Sequence, residues 1–106
     1  MIAFGERVLV YTSELDQTGF VADRRTYDAV LRNLELIGEA ATHIPEAVRD
    51  AHQEIDWRSI IGTRNRIAHG YMGIDDDVVW DIVQTDVPDL LPKLRRLLEA
   101  SAENTP

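Results

Sequence analysis

Arg64, Asn65, Arg66, His69 and Tyr71 lie close together in the run Arg64-Asn65-Arg66-Ile67-Ala68-His69-Gly70-Tyr71. These residue types could recognise an anion and move a proton, and their spacing alone leaves an ion pair and a helix-end cap as the competing readings. A guanidinium is a planar, permanently charged fork that matches phosphate oxygens. Histidine is the side chain whose unperturbed pKa lies nearest neutrality, as general acid–base catalysis requires. The chain contains no cysteine, so disulfides, thiolate catalysis and sulfur-ligated metals are excluded.

Spacing sorts these residues into two groups. Between Trp57 and Tyr71 the stripe positions 57, 61, 64, 68 and 71 alternate steps of four and three, the rhythm of a helix with one buried face. Four of them are Trp57, Ile61, Ala68 and Tyr71, and the central one is Arg64. Burying that guanidinium without a partner is costly, so an acid, exposed carbonyls, a second subunit or an anionic ligand must meet it. Glu39 is one acid able to do so. At ~100° per residue, Arg58, Asn65 and His69 share a wedge of ~40° on a neighbouring face, with Gly62 beside them leaving room for an approaching group. Arg64 and His69 stand ~140° apart on an ideal helix. To act on one point, Arg64 must curl round, the helix must unwind near Gly70, or two copies must face each other across a dyad.

The elements that hold this segment are read from the same periodicity. Phe4, Val8, Tyr11 and Leu15 predict a first helix, and Gly19 and Phe20 then fall in a short connection. Asp23 suits an N-cap. After it Tyr27, Val30, Leu34, Ile37 and Ala41 predict a long helix ending near His43, because Ile44 precedes Pro45. Pro45 fits the first turn of a short helix reaching about Ala51. Asp56 opens the helix that carries Arg64, with Ile55 and Ile60 placed as a hydrophobic staple. Gly70 and Gly73 bracket its end. Ile74, Asp75 and Val79 repeat the same opening, and Val79, Val83, Leu90, Leu94 and Leu97 carry a stripe onward. Pro88 and Pro92 must break or bend that last segment, and residues from about 101 to 106 read as a frayed tail. The fold class is all-α: one domain over 1–106, an antiparallel bundle of four main helices plus short ones.

Composition bounds the function. The formal net charge is −8, with 19 acidic against 11 basic side chains. That balance disfavours unspecific binding to a polyanion, so nucleic acid must be met through a local basic patch. No apolar run approaches the ~20 residues needed to span a bilayer. Glu6 and Arg7 follow Met1 too closely for a signal-peptide core, so a cytoplasmic location is expected.

Four stretches carry a family resemblance. Arg64, His69 and Tyr71 spell Arg-x4-His-x-Tyr, which resembles the motif of HepT-like toxins in the HEPN superfamily. The run Val30-Leu31-Arg32-Asn33-Leu34-Glu35-Leu36-Ile37-Gly38-Glu39-Ala40-Ala41 is similar to that family's long second main helix. Trp57-Arg58-Ser59-Ile60-Ile61-Gly62 and Val79-Trp80-Asp81-Ile82-Val83 are similar to the helix leading into the motif and the one following it. The likeness runs from about Val8 to Leu98. It implies a HEPN-like bundle that forms a homodimer with the two motif segments facing each other. It also implies a metal-independent endoribonuclease toxin with no cofactor, paired with a minimal nucleotidyltransferase antitoxin that transfers AMP to Tyr71. Carried over, His69 handles protons while an RNA 2′-hydroxyl attacks the adjacent phosphate, Arg64 stabilises the charge, and Asn65 orients the phosphate or the histidine. Arg58 and Arg66, doubled by the dimer, would line a basic cleft on an acidic body. The N-terminal helix looks shorter than the family's usual one, which touches the dimer surface more than the chemistry.

Other readings remain beside this one. Asp75-Asp76-Asp77 point ~100° apart on a helix, and capping explains Asp75, so no metal site is expected there. His43 and His52 fit surface positions, and Trp57 and Trp80 fit core or interface anchors. The alternative function is a non-catalytic HEPN interaction module that binds a nucleotidyltransferase partner or a nucleotide. A stand-alone dimer in which Arg64 only forms ion pairs is a third reading.

Overall fold

The computed structural model describes residues 1–69 and 74–103. Four longer helices form the frame: α1 (Ile2–Thr12), α3 (Arg24–Thr42), α5 (Trp57–Ala68) and α7 (Val87–Glu103). Three six-residue helices, α2 (Gln17–Ala22), α4 (Glu46–Ala51) and α6 (Asp76–Asp81), sit between them. The all-α bundle expected from periodicity is what forms. Helix α3 is the spine, packed on α1 along one side and on α5 along the other, and α1 also packs on α7. Helices α3 and α5 run antiparallel: Gly38 lies against Ile60 and Arg64, whereas Leu31 and Leu34 share a recess with Ile67.

The spine is the element most legible in advance. Asp23 caps it, accepting from the Thr26 amide at 3.2 Å and the Thr26 hydroxyl at 2.8 Å. Those two donors hold its carboxyl below the usual carboxylate range. Tyr27, Val30, Leu34, Ile37 and Ala41 are all buried, and His43 is the C-cap. Asp16, Asp56 and Asp75 cap α2, α5 and α6 in the same way, each side chain accepting from a backbone amide of the first turn.

Three expectations are corrected. Gly19 and Phe20 do not form a connection; they lie inside α2, and Phe20 is completely buried against Tyr27 and Trp80. Asp16 makes this short helix possible by taking the Gly19 amide at 2.8 Å. In α1, Tyr11 faces solvent and Leu15 lies beyond the helix; the buried line is Gly5, Val8 and Thr12. Gly5 is buried because Leu91 of α7 comes so close that an added Cβ would stand 2.9 Å from it. Thr12 is tolerated there because its hydroxyl donates to the Val8 carbonyl at 2.8 Å.

Of the breaks or bends expected at Pro88 and Pro92, the interruption lies just before Pro88. A π-helical turn, Ile82–Asp86, precedes α7, and the Val87 amide donates to the Ile82 carbonyl. Pro88 can neither donate nor fit its ring against the carbonyl four residues back, and the wider turn upstream absorbs that conflict. Helix α7 then continues through Pro92 without ending. Of the frayed tail expected from 101 to 106, residues 101–103 instead continue α7, and 104–106 lie outside the described residues.

Helix α6 is tied to the spine by Tyr27, whose hydroxyl donates to Asp76 Oδ1 at 2.7 Å. Gln17 of α2 holds Asp77 beside it. Burial, then the bond to Asp76 and its charge, push the Tyr27 phenol up to about 12. Tyr27→Phe is expected to lower stability by about 1–2 kcal/mol near neutral pH, read by urea unfolding. The wild-type excess belongs to a group whose folded pKa exceeds its unfolded one. It should be complete below pH ~10 and vanish as the pH rises through ~12, tracked by phenolate absorbance.

Candidate functional site

Helix α5 meets the core through Trp57, Ile60, Arg64 and Ile67, with Ile61 half-buried beside them. This is the expected rhythm turned by one residue at two places: Ile67 is buried and Ala68 exposed. Arg64 lies on the buried line in either version. What lets an arginine stand there is Gly38 on α3. A Cβ on Gly38 would lie 2.2 Å from the Arg64 Cβ and 3.0 Å from the Ile60 carbonyl oxygen. The two backbones therefore approach so closely that the arginine stem passes the spine and its head emerges at the seam.

That head has two partners. Arg64 Nη2 donates to Glu39 Oε2 at 2.6 Å, and Nη1 donates to Asn65 Oδ1 at 2.9 Å. The other carboxylate oxygen of Glu39 lies 3.4 Å from His43 Nε2. Arg64 and Glu39 are both partly exposed, their side chains at 34% and 44%, so the guanidinium is within reach of a ligand from solvent. Of the partners considered for Arg64, an acid is the one found. His43, expected to be merely a surface residue, is exposed but adjoins this pair.

The structure also shows how Arg64 relates to the neighbouring wedge. Its Nη1 donates to Asn65, one residue of the face shared by Arg58, Asn65 and His69. Arg58, Asn65, Arg66 and His69 are all exposed, and a Cβ on Gly62 would meet open space. His69 is the C-cap of α5, its amide bonded to the Asn65 and Ile67 carbonyls. A cation there, like Arg66 in the last turn, is favoured by the helix dipole. Tyr71, with the expected brackets Gly70 and Gly73, lies outside the described residues.

A cleft of about 230 Å³ opens on the opposite flank of α5, between α3 and α7. Its floor includes Leu34, Ile37 and Ile60, and its rim carries Asp56, Asp86 and Asp89, with Lys93 bonded to Asp89 at 2.9 Å. Burial, and then the charges of Asp81, Asp89 and Asp56, push the Asp86 carboxyl up. This rim is acidic, whereas the wedge across the helix carries Arg58, Asn65 and His69. The aspartates at 75–77 are engaged individually: Asp75 caps α6, Asp76 takes the Tyr27 hydroxyl and Asp77 is held by Gln17. Trp57 and Trp80 serve the core, Trp57 also donating its ring N–H to the His52 carbonyl at 3.1 Å. Among the described residues, no helix is long and apolar enough to cross a membrane.

The bundle is all-α, and the family comparison makes it HEPN-like. The chain belongs to the HepT-like ribonuclease family, whose model matches residues 1–97. A Thermococcus cleftensis protein named "Probable ribonuclease HepT" is 38% identical over 92 residues, covering 87% of this chain and 84% of that protein. A candidate RNase of Methanocaldococcus jannaschii is 36% identical over 83 residues, 78% of this chain and 76% of its own length. One from Caldanaerobacter subterraneus is 31% identical over 80 residues, 76% of this chain and 71% of its own. No solved structure matches the chain.

The residues that sequence reasoning underused are Gly38 and Glu39. Their signal was present: a glycine followed by an acid, one turn before the end of the long helix. Gly38→Ala must push α5 off the spine, because the obstructing atom is the arginine Cβ and not a movable tip. A loss of about 1–3 kcal/mol is expected from this overpacking, measured by thermal or urea unfolding. Gly62→Ala, on the open side of the same helix, should not destabilise and should slightly favour the helix.

Proposed function

We propose that this chain is a metal-independent endoribonuclease toxin that cuts RNA with Arg64, Asn65 and His69. The observation that supports the reading most is that Arg64 emerges half-exposed at the α3–α5 seam with its guanidinium bonded to Asn65. In the proposed reaction an RNA 2′-hydroxyl attacks the neighbouring phosphorus and the bond to the 5′-oxygen breaks, leaving a cyclic phosphate. His69 handles the proton leaving the 2′-hydroxyl or the one reaching the 5′-oxygen; two copies across a dimer would supply both. Arg64 stabilises charge on the phosphate oxygens as the transition state forms, and Asn65 orients the phosphate or the guanidinium. Arg58 and Arg66 bind flanking phosphates, and a homodimer doubles them into a basic cleft. The exposure of Arg58, Asn65, Arg66 and His69, and the partial exposure of Arg64, on an otherwise acidic body supports this reading.

Regulation follows the same lines. A nucleotidyltransferase antitoxin transfers AMP from ATP to the Tyr71 hydroxyl, pyrophosphate leaving, and the added bulk and negative charge close the cleft to RNA. All of this takes place in the cytoplasm. A binding-only module is the competing reading, favoured by the −8 charge and by Glu39 already occupying Arg64.

Expression of the wild type without a partner should arrest bacterial growth and fragment RNA. His69→Ala and Arg64→Ala should each lower cleavage by about 100-fold or more while remaining folded. Equal growth and intact RNA in all three strains, with soluble protein in each, would leave the binding module as the answer. Co-expression with the partner enzyme should add one or more AMP units to the intact mass, mapped by peptide sequencing to Tyr71. Modification at any other residue rejects the assignment of Tyr71.

A further inference from the structure

We propose that Glu39 is a positioning residue of this site, an assignment that rests on the ribonuclease reading of Arg64. Arg64 lies where two helices nearly touch, so its stem is fixed by Gly38 but its long head is not. Glu39, the residue after that glycine, fixes the head. Its Oε2 takes one Nη2 proton of the guanidinium at 2.6 Å, while Nη1 is turned onto Asn65 at 2.9 Å. A fork gripped from the spine on one edge and bonded to Asn65 on the other presents its remaining N–H groups in one orientation. Pre-set donors of this kind act most strongly on charge that develops during a reaction.

The same carboxylate has a cost for binding. It is a negative charge beside the place where a phosphate must sit, and it repels that phosphate in the ground state. Glu39 therefore weakens RNA binding while it raises the rate of the chemical step. A residue holding up the fold has no such split effect. The pair is half-exposed, and exposed pairs contribute little stability. Removing its charge should leave the bundle intact.

Glu39→Gln keeps the side-chain shape and removes the charge. Glu35, one turn earlier on α3, pairs with Arg32 at 2.6 Å and makes Glu35→Gln the matched control. Wild type and both variants are compared as full chains in three measurements: kcat and KM on a short labelled RNA, the Kd for the same RNA with 2′-O-methyl groups, and Tm. The methylated RNA has no free nucleophile, so it reports binding alone. For Glu39→Gln, kcat should fall by at least about tenfold, since misplacing a charge-stabilising group by an ångström carries a penalty of that order or more. KM and Kd should fall together by about threefold, the effect of one unit charge several ångströms from a phosphate in water. Tm and the Glu35→Gln control should match wild type. Glu39→Asp keeps the charge but shortens the reach, so kcat should fall without tighter binding.

Unchanged kcat in Glu39→Gln overturns the assignment while leaving the ribonuclease reading intact. So does a loss of kcat accompanied by weaker binding and a lower Tm, which marks a structural role. A wild type that cleaves no RNA, or cleaves it equally well as His69→Ala, overturns the ribonuclease reading itself and the assignment with it.

Discussion

The close crossing of α3 and α5 at Gly38 is the constraint on which the rest of the site depends. With any side chain larger than hydrogen at that position, the Arg64 Cβ could not lie where it does. The arginine stem would then stand off the spine, and Glu39 could not meet its head at 2.6 Å. From that contact outward, each feature has a local cause. Ile60 and Ile67 set the rotation of α5 by their burial, Asp56 sets where it starts, and His69 caps its end. Tyr27 and Asp76 fix the start of α6, so the described ends of the chain on either side of residues 70–73 are both anchored.

The electrostatics of α5 differ from one side to the other. One flank looks into a cleft rimmed by Asp56, Asp86 and Asp89; the far face carries Arg58, Asn65 and His69. The angular separation comes from the helix itself, since residues 56, 59, 60 and 63 share one side and 58, 62, 65 and 69 the other. A net charge of −8 is thus compatible with a phosphate-binding face, because the excess acid need not lie on that face. Electrostatic repulsion from the acidic side would also favour one orientation of approach.

Much of the fold was legible because long amphipathic helices announce themselves. The spine, its Asp23 cap and the Asp56 and Asp75 caps were all readable from spacing and residue type. The misreadings have two physical origins. Gly5 and Thr12 are buried for reasons of space and internal hydrogen bonding, so a rule that seeks large apolar residues assigned α1's inner face to Tyr11 instead. Phe20 was read as part of a connection because a six-residue helix is too short to show a period. At the site, the sequence placed Arg64 on the buried line and identified the need for a partner. It could not choose among partners, because that choice is made between two helices whose approach distance no periodicity encodes.

The modest strength of the Arg64–Glu39 pair bears on what the pair can be for. A fully buried ion pair would be hard to break, and an incoming phosphate could not share the arginine without a large loss. A half-exposed pair is worth roughly 0–1 kcal/mol, little enough for a phosphate to draw on the free edge of the guanidinium while the carboxylate keeps the other. It is also too little to explain an arginine in a helix seam as a device for stability, since an apolar residue there would bury more area at lower desolvation cost. The arrangement makes physical sense if the guanidinium must be both held and reachable. The Gly38 crossing and the Glu39 carboxylate hold it, and its partial exposure at the edge of the seam leaves it open to solvent.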